Sequence, residues 1–247
     1  MQINVVTLFP EMFSAIAEWG ITGRAIKQGL VDLDYFNPRE FTKDRHRTVD
    51  DRPFGGGPGM LMKTEPLIAA IRAAKEGLQK DEGAGSVRVA YLSPQGRVID
   101  QASIIELASR ECMVMLCGRY QGIDQRVIDQ EVDEEWSIGD FVLSGGELAA
   151  MTLIDAMTRF QSGAVGDKDS VNQDSFSNGL LHCPEYTKPQ VFNSQHVPDV
   201  LLNGDHEAIR KWRLEQSLVV TKRKRPELIS KKKLNEEERN LLKHISE

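Results

Sequence analysis

Two short segments, SPQGR at residues 93–97 and CGRYQGID at 117–124, each follow an apolar run and set glycines beside polar and aromatic side chains. Loops that leave strand ends carry backbone N–H and C=O groups able to hydrogen-bond a polar heterocycle. Gly96, Gly118 and Gly122 permit close backbone approach, while Arg119 and Tyr120 add a charge and a ring. A third segment, WSIGDFVLSGGE, places Gly139, Gly145 and Gly146 in an apolar stretch just before a helical pattern. Each segment alone is equally a tight strand-to-helix turn, but three together point to a ligand site. Other chemistries lack their motifs. Neither GxGxxG nor GxxxxGK[ST] occurs, and GGGPG at 55–59 has no strand-to-helix switch to cradle a phosphate. There is no GxSxG elbow, and Asp133, Glu134 and Glu135 read as a solvated acidic edge. Cys112, Cys117 and Cys183 are odd in number. With His46, His182, His196, His206 and His244 they form no recognisable metal spacing, so neither disulfides nor a metal is expected.

These segments need elements to hold them. INVVTLF reads as a strand, followed by Pro10 at a first helical position and the helix-like EMFSAIAEW. VDLDYF at 31–36 reads as a strand, residues 41–63 as a long polar Gly-rich loop, and 65–78 as a helix capped by Thr64. VRVAYL and CMVML have the β-branched or apolar content of buried strands, with helices expected over 100–110 and 122–130. EEWSI and FVL read as short strands around Gly139 and Asp140, and a helix runs from about Gly146 to Phe160. This alternation predicts an α/β fold, a mostly parallel sheet with helices on both faces, whose ligands sit beyond the strand carboxyl ends. After Phe160 the chain turns Gly-, Ser-, Asp- and Asn-rich, before HCPEYTKPQVF and a helical part broken at Pro226. The division expected is a cofactor-binding domain over 1–162, a flexible linker over 163–175 and a small, mainly helical domain over 176–247.

The 247 residues, 40% hydrophobic and 28% charged, are globular in composition, which excludes bulk disorder. No stretch reaches the length of a membrane span, and Ile3 to Phe9 is too short for a secretion signal, so a cytoplasmic protein without a membrane partner is expected. The net charge of -6 argues against a polyanion partner until it is divided along the chain. Residues 207–247 carry twelve Lys/Arg against seven Asp/Glu, leaving nineteen against thirty on residues 1–206. Arg210, Lys211, Arg213, the run 222–225 and Lys231 to Lys233 are therefore candidate phosphate contacts, a solvated face being the plainer alternative.

The longest motifs are VVTLFPEMF, DDRPFGGGPGMLMK, YLSPQG, GRYQGID, SIGDFVLSGGE, QDSFSNGLL and HCPEYTKP. Over nearly its whole length the chain resembles the bacterial tRNA (guanine-N1)-methyltransferases, which modify guanosine 37 and belong to the trefoil-knotted methyltransferase superfamily. The resemblance implies a deep knot that binds S-adenosylmethionine, a homodimer with active sites at the subunit interface, and a carboxyl-terminal domain that grips tRNA.

Carried over residue by residue, the resemblance implies a cofactor pocket of Tyr91, Leu92, Ser93, Pro94, Gln95 and Gly96 from the first loop. The second loop brings Gly118, Arg119, Tyr120 and Gly122, and the third Ser137, Ile138, Gly139, Leu143, Gly145 and Gly146. The chain departs from the family pattern at Gln121, where Glu is commoner; Gln still accepts a hydrogen bond but carries no charge. The resemblance also implies Asp174 as general base and Arg159 as its electrostatic helper. Guanine N1 carries a proton and is a poor nucleophile, so a carboxylate must remove that proton as the methyl arrives. Arg159 would then either offset charge at O6 or orient Asp174. Taken alone, Asp174 reads as the cap of a helix starting at Ser175, and Arg159 as a solvent-facing helix end. His46, Arg47 and Arg52 could add contacts near the target base.

Overall fold

Period-two alternation in the apolar runs decides which face of the sheet each side chain enters. In the computed structural model, which describes residues 1–78, 87–166, 171 and 173–245, five strands form one parallel sheet. They are β1 (Gln2–Val6), β2 (Asp32–Phe36), β5 (Val89–Val98), β6 (Cys112–Cys117) and β7 (Glu134–Ser137), in the order β2-β1-β6-β5-β7. Ile3, Val5, Ala90, Leu92, Met113, Met115 and Cys117 enter one core, and Val6, Val89, Tyr91, Val114 and Leu116 the other. Neither face of the sheet could meet water at tolerable cost, hence the near-continuous apolar strands.

Helices close both faces. One layer is formed by α2 (Gly20–Lys27), α4 (Gln101–Ala108) and α6 (Glu147–Thr158), with Ala25, Leu107 and Ile154 fully buried. The other is α3 (Thr64–Leu78) and α5 (Gln125–Glu131). On α3, Leu67, Ala70, Ile71, Ala74 and Leu78 recur at helical spacing and are all buried. The helix also accepts a hydrogen bond at its Ala74 carbonyl from Asn4 Nδ2 on β1, at 2.7 Å. Glu131, buried at the end of α5, accepts from Arg72 Nε on α3 at 2.7 Å, which compensates a carboxylate that would otherwise be costly to desolvate.

Several expectations change in detail. EMFSAIAEW becomes a 3-10 turn over Pro10–Phe13 and the short α1 (Ser14–Ala17). The 41–63 segment holds an antiparallel pair, β3 (Asp50–Asp51) with β4 (Leu61–Met62). FVL at 141–143 is not a strand: Phe141 N–H donates to Gly139 O at 2.9 Å, a tight turn that withdraws the segment from the sheet. SPQGR is not a strand-to-helix turn either, because β5 resumes after it. Leu92 and Arg97 both face Trp136 of β7, with the intervening residues bulged out of register.

The chain divides into two compact units, residues 1–166 and 167–247. Of the linker expected over 163–175, residues 167–170 and 172 lie outside the described residues, as does the DEGAG stretch. In the second unit α7 (His206–Lys224) is followed by α8 (Pro226–Lys231) and α9 (Glu236–His244). A two-residue hairpin, β8 (Val191–Phe192) with β9 (Gln195–His196), was not anticipated from the sequence. Asp205 caps α7, its side chain accepting from the Glu207 and Ala208 N–H groups, and Asn235 and Glu238 form a reciprocal capping box on α9. Among the described residues no helix is long and apolar enough to cross a membrane.

Candidate active site

The carboxyl ends of the adjacent strands β6, β5 and β7 open into one cavity of about 620 Å³, within the range of small-molecule sites. Every cofactor residue expected from the sequence lines it except Gly96. A Cβ on Gly96 would lie 2.3 Å from the Trp136 backbone nitrogen, so this glycine serves the passage of β5 beside β7. The lining also includes Glu135, expected on a solvated acidic edge, together with Trp136, Phe141, Val142 and Ala149.

Local geometry explains the glycines. Gly139 has φ +146° and Gly122 φ +118°, values closed to most side chains. Ser137 Oγ donates to Gly139 O at 3.0 Å, fixing the turn out of β7. Gly146 N–H donates to Gly118 O at 2.9 Å, joining the third loop to the second, and a Cβ on Gly146 would stand 2.8 Å from the Cys117 Cα. Gly118 rests against the Tyr91 ring. Burial, with help from Glu135, pushes the Tyr91 phenol up to about 12, so it stays a neutral hydroxyl across the physiological range. Burial likewise pushes the Cys117 thiol well up, with Glu147 adding to the effect, which suits a small core residue rather than a nucleophile.

Arg119 is held from several sides. Its Nε lies 2.8 Å from Glu147 Oε2, and the carboxylate is wholly buried. The N–H is poorly aligned and makes no hydrogen bond to that oxygen, so the contact is Coulombic. Thr7 Oγ1 donates to the other Glu147 oxygen at 2.9 Å, Arg119 Nη1 donates to Ser144 O at 3.3 Å, and the guanidinium sits 4.5 Å from the Phe9 ring centroid. Much of this arginine goes to joining the segment after β1 and the start of α6 to the second loop. Glu147 had a faint sequence signal, an acid opening the otherwise apolar ELAAMTLI. The Thr7 and Phe9 contacts had none, because they span more than a hundred residues.

The loop at 53–59 reaches the cavity rim. Gln121 N–H donates to Met60 O and Met62 N–H to Gly122 O, both at 3.0 Å. A Cβ on Gly59, whose φ is +88°, would strike the Gln121 side chain at 2.4 Å. Gln121 is therefore a packing contact for this loop.

Arg159 and Asp174 fall in different units. Arg159 is the C-cap residue of α6 and half-buried, as is Asp174 in the second unit. The helix-cap reading of Asp174 fails. Residues 175–178 form a turn, with Ser177 N–H donating to Asp174 O at 3.3 Å and Phe176 N–H to Leu180 O at 2.7 Å. Nearby, His182, Cys183 and Glu185, close neighbours in HCPE, bring their ligand-type atoms within 4.8 Å of one another.

The basic residues of the second unit are unequal. Arg210 pairs with Glu207 and Glu237 at 2.8 and 2.7 Å, Lys222 Nζ donates to Ile245 O at 2.9 Å, Arg225 pairs with Glu227, and Lys232 with Glu238. Lys211, Arg223, Lys224, Lys231 and Lys233 are exposed. His46, Arg47 and Arg52 of the first unit are exposed as well.

Residues 1–231 match the family model described as tRNA (Guanine-1)-methyltransferase TrmD. Among curated relatives, a tRNA (guanine-N(1)-)-methyltransferase of Mannheimia succiniciproducens is 57% identical over 247 residues, covering 100% of this chain and 95% of the relative. That of Pasteurella multocida is 57% identical, covering 99% and 98%. That of Cronobacter sakazakii is 58% identical, covering 98% and 92%.

Proposed function

Since the chain belongs to the tRNA (guanine-1)-methyltransferase family, we propose that it is the enzyme that transfers a methyl group from S-adenosylmethionine to N1 of guanosine 37 in tRNA. The observation that carries this reading is the cavity at the ends of β5, β6 and β7. Leu92, Ile138, Leu143 and Ala149 provide apolar surface, and the glycine-rich turns expose backbone donors and acceptors, a combination suited to an adenine ring. S-adenosylmethionine, when bound, supplies an electrophilic methyl group on a sulfonium.

The remaining chemistry belongs to the chain. Asp174 takes the N1 proton of guanine, leaving the nitrogen lone pair free for in-line attack. Arg159, charged at any working pH, offsets the negative charge that develops across N1 and O6. Arg119 and Glu147 keep the second and third loops together and so preserve the shape of the pocket. Exposed Lys and Arg side chains of the second unit meet RNA phosphates, and an unstacked anticodon-loop base costs less to extract than one within a duplex.

A trefoil knot and a homodimer belong to the same proposal. The close pass of Gly146 over Cys117 suits a threaded chain. Phe9, Phe141, Val142 and Leu148 leave apolar surface that a second copy would cover, completing the site. A cytoplasmic location, where tRNA is found, follows from this reading. Asp174→Asn tests it: isothermal titration should give unchanged cofactor affinity, while single-turnover methylation of tRNA falls by roughly a hundredfold or more. Methylation near the parent rate would remove Asp174 as the base, and a product other than N1-methylguanosine at position 37 would overturn the substrate.

A further inference from the structure

The segment that carries the half-buried Asp174 is irregular and in large part exposed, yet a base must be held in one orientation. Its two neighbours are both bound by a single residue. His182 Nδ1 lies 2.6 Å from the Gln173 carbonyl, and the His182 backbone N–H donates to Ser175 Oγ at 2.9 Å. A carbonyl can only accept, so Nδ1 carries the proton in that contact. These bonds close on either side of residue 174.

His182 is itself anchored. Its Nε2 lies 3.0 Å from Glu185 Oε1, an acceptor, so this contact is a hydrogen bond when the ring carries a proton on both nitrogens. Glu185 is faced in turn by Arg213 of α7 at 3.8 Å and by the Cys183 thiol at 3.8 Å. One residue earlier, the Leu181 N–H donates at 2.9 Å to Thr221 Oγ1, a fully buried side chain on α7. Leu180 and Cys183 are buried, as is Leu218 on α7. A continuous path of contacts thus leads from a nineteen-residue helix to the two residues flanking the carboxylate.

We propose that the His182 ring is a positioning group for Asp174, holding the carboxylate through the Gln173 carbonyl while the His182 backbone N–H keeps the Ser175 hydroxyl in place. This rests on Asp174 being the base. The ring nitrogens make the proposal testable, because an Asn amide places its N–H near the position of Nδ1 and a Gln amide near that of Nε2.

Single-turnover methylation with saturating tRNA should fall roughly 10- to 100-fold in His182→Ala, with cofactor affinity unchanged. His182→Asn should recover most of that loss and His182→Gln little of it, with helix content by circular dichroism equal in all three. The proposal is overturned if His182→Ala stays within about twofold of the parent, if Gln rescues as well as Asn, or if all three variants lose equally. Asp174→Asn, assayed alongside with His182 intact, reports the underlying reading separately: if it retains turnover, the base assignment fails, and the positioning role with it.

Discussion

The two units are built in opposite ways. Residues 1–166 bury a five-stranded sheet between two helical layers and shape a cavity with backbone, glycine and one desolvated ion pair. Residues 167–247 bury few side chains among those described, chiefly Val171, Leu180, Cys183, Leu218 and some polar groups on α7 and α9. Their charges are spread over solvent-exposed helices. Where dielectric is low, one contact matters greatly and geometry is exacting; where water screens, individual contacts are weak and the sum acts. The first arrangement suits a small ligand enclosed on most sides, the second a long polyanion.

The contrast breaks most readily at Glu147. Glu147→Ala leaves Arg119 without its buried counter-charge and should cost about 3–5 kcal/mol in urea unfolding; a loss under about 1 kcal/mol would place the pair with the weak surface contacts of the second unit. Gly96→Ala comes next. Its new Cβ meets the Trp136 backbone, not a movable side-chain tip, and the strain should cost about 1–3 kcal/mol and lower cofactor affinity. Gly166→Ala, with open space around it, should be nearly neutral.

Alkaline titration sharpens the same distinction. The phenol of Tyr91 is raised from 10.0 to about 12 by burial, so the folded state holds its proton more tightly than the unfolded chain. Its contribution is fully present below pH 10.0 and is lost as pH rises towards about 12. The melting temperature should drop across that window, less steeply in Tyr91→Phe. In the second unit, Arg223 and Lys224 replaced together by Gln should lower the slope of log affinity for tRNA against log salt by about 1.5, without affecting the cofactor. Smallest of all, Arg210→Ala should leave the melting temperature unchanged by calorimetry despite its two ion pairs, since both lie in solvent.

Much of this was legible beforehand where local patterns decide. VDLDYF and the 65–78 helix follow their periodicity closely and CMVML its apolar run, because burial on one helix face or on both sheet faces demands it, Thr64 joining the helix as its first residue. FVL at 141–143 has strand-like residues, yet the Gly139 turn and the cavity claim it. Asp174 looked like a helix cap because Asp before Ser is a common start signal; the contacts that shape its turn come from Leu180 and His182, which carry no helix-stop or turn signature of their own. Similarly, ten basic residues in one short region looked alike, and only the folded helices brought Glu237 to Arg210 and Glu238 to Lys232.

From residue order alone came the family, the glycine-rich loops and the uneven distribution of charge, since these depend on residue type and short spacing. Tertiary structure alone decided that β5 continues past its bulge, that Glu147 is tied to both Arg119 and Thr7, and that His182 brackets Asp174. Those are contacts between residues that the sequence does not place side by side. Their strength depends on burial and direction, and neither exists until the chain has folded.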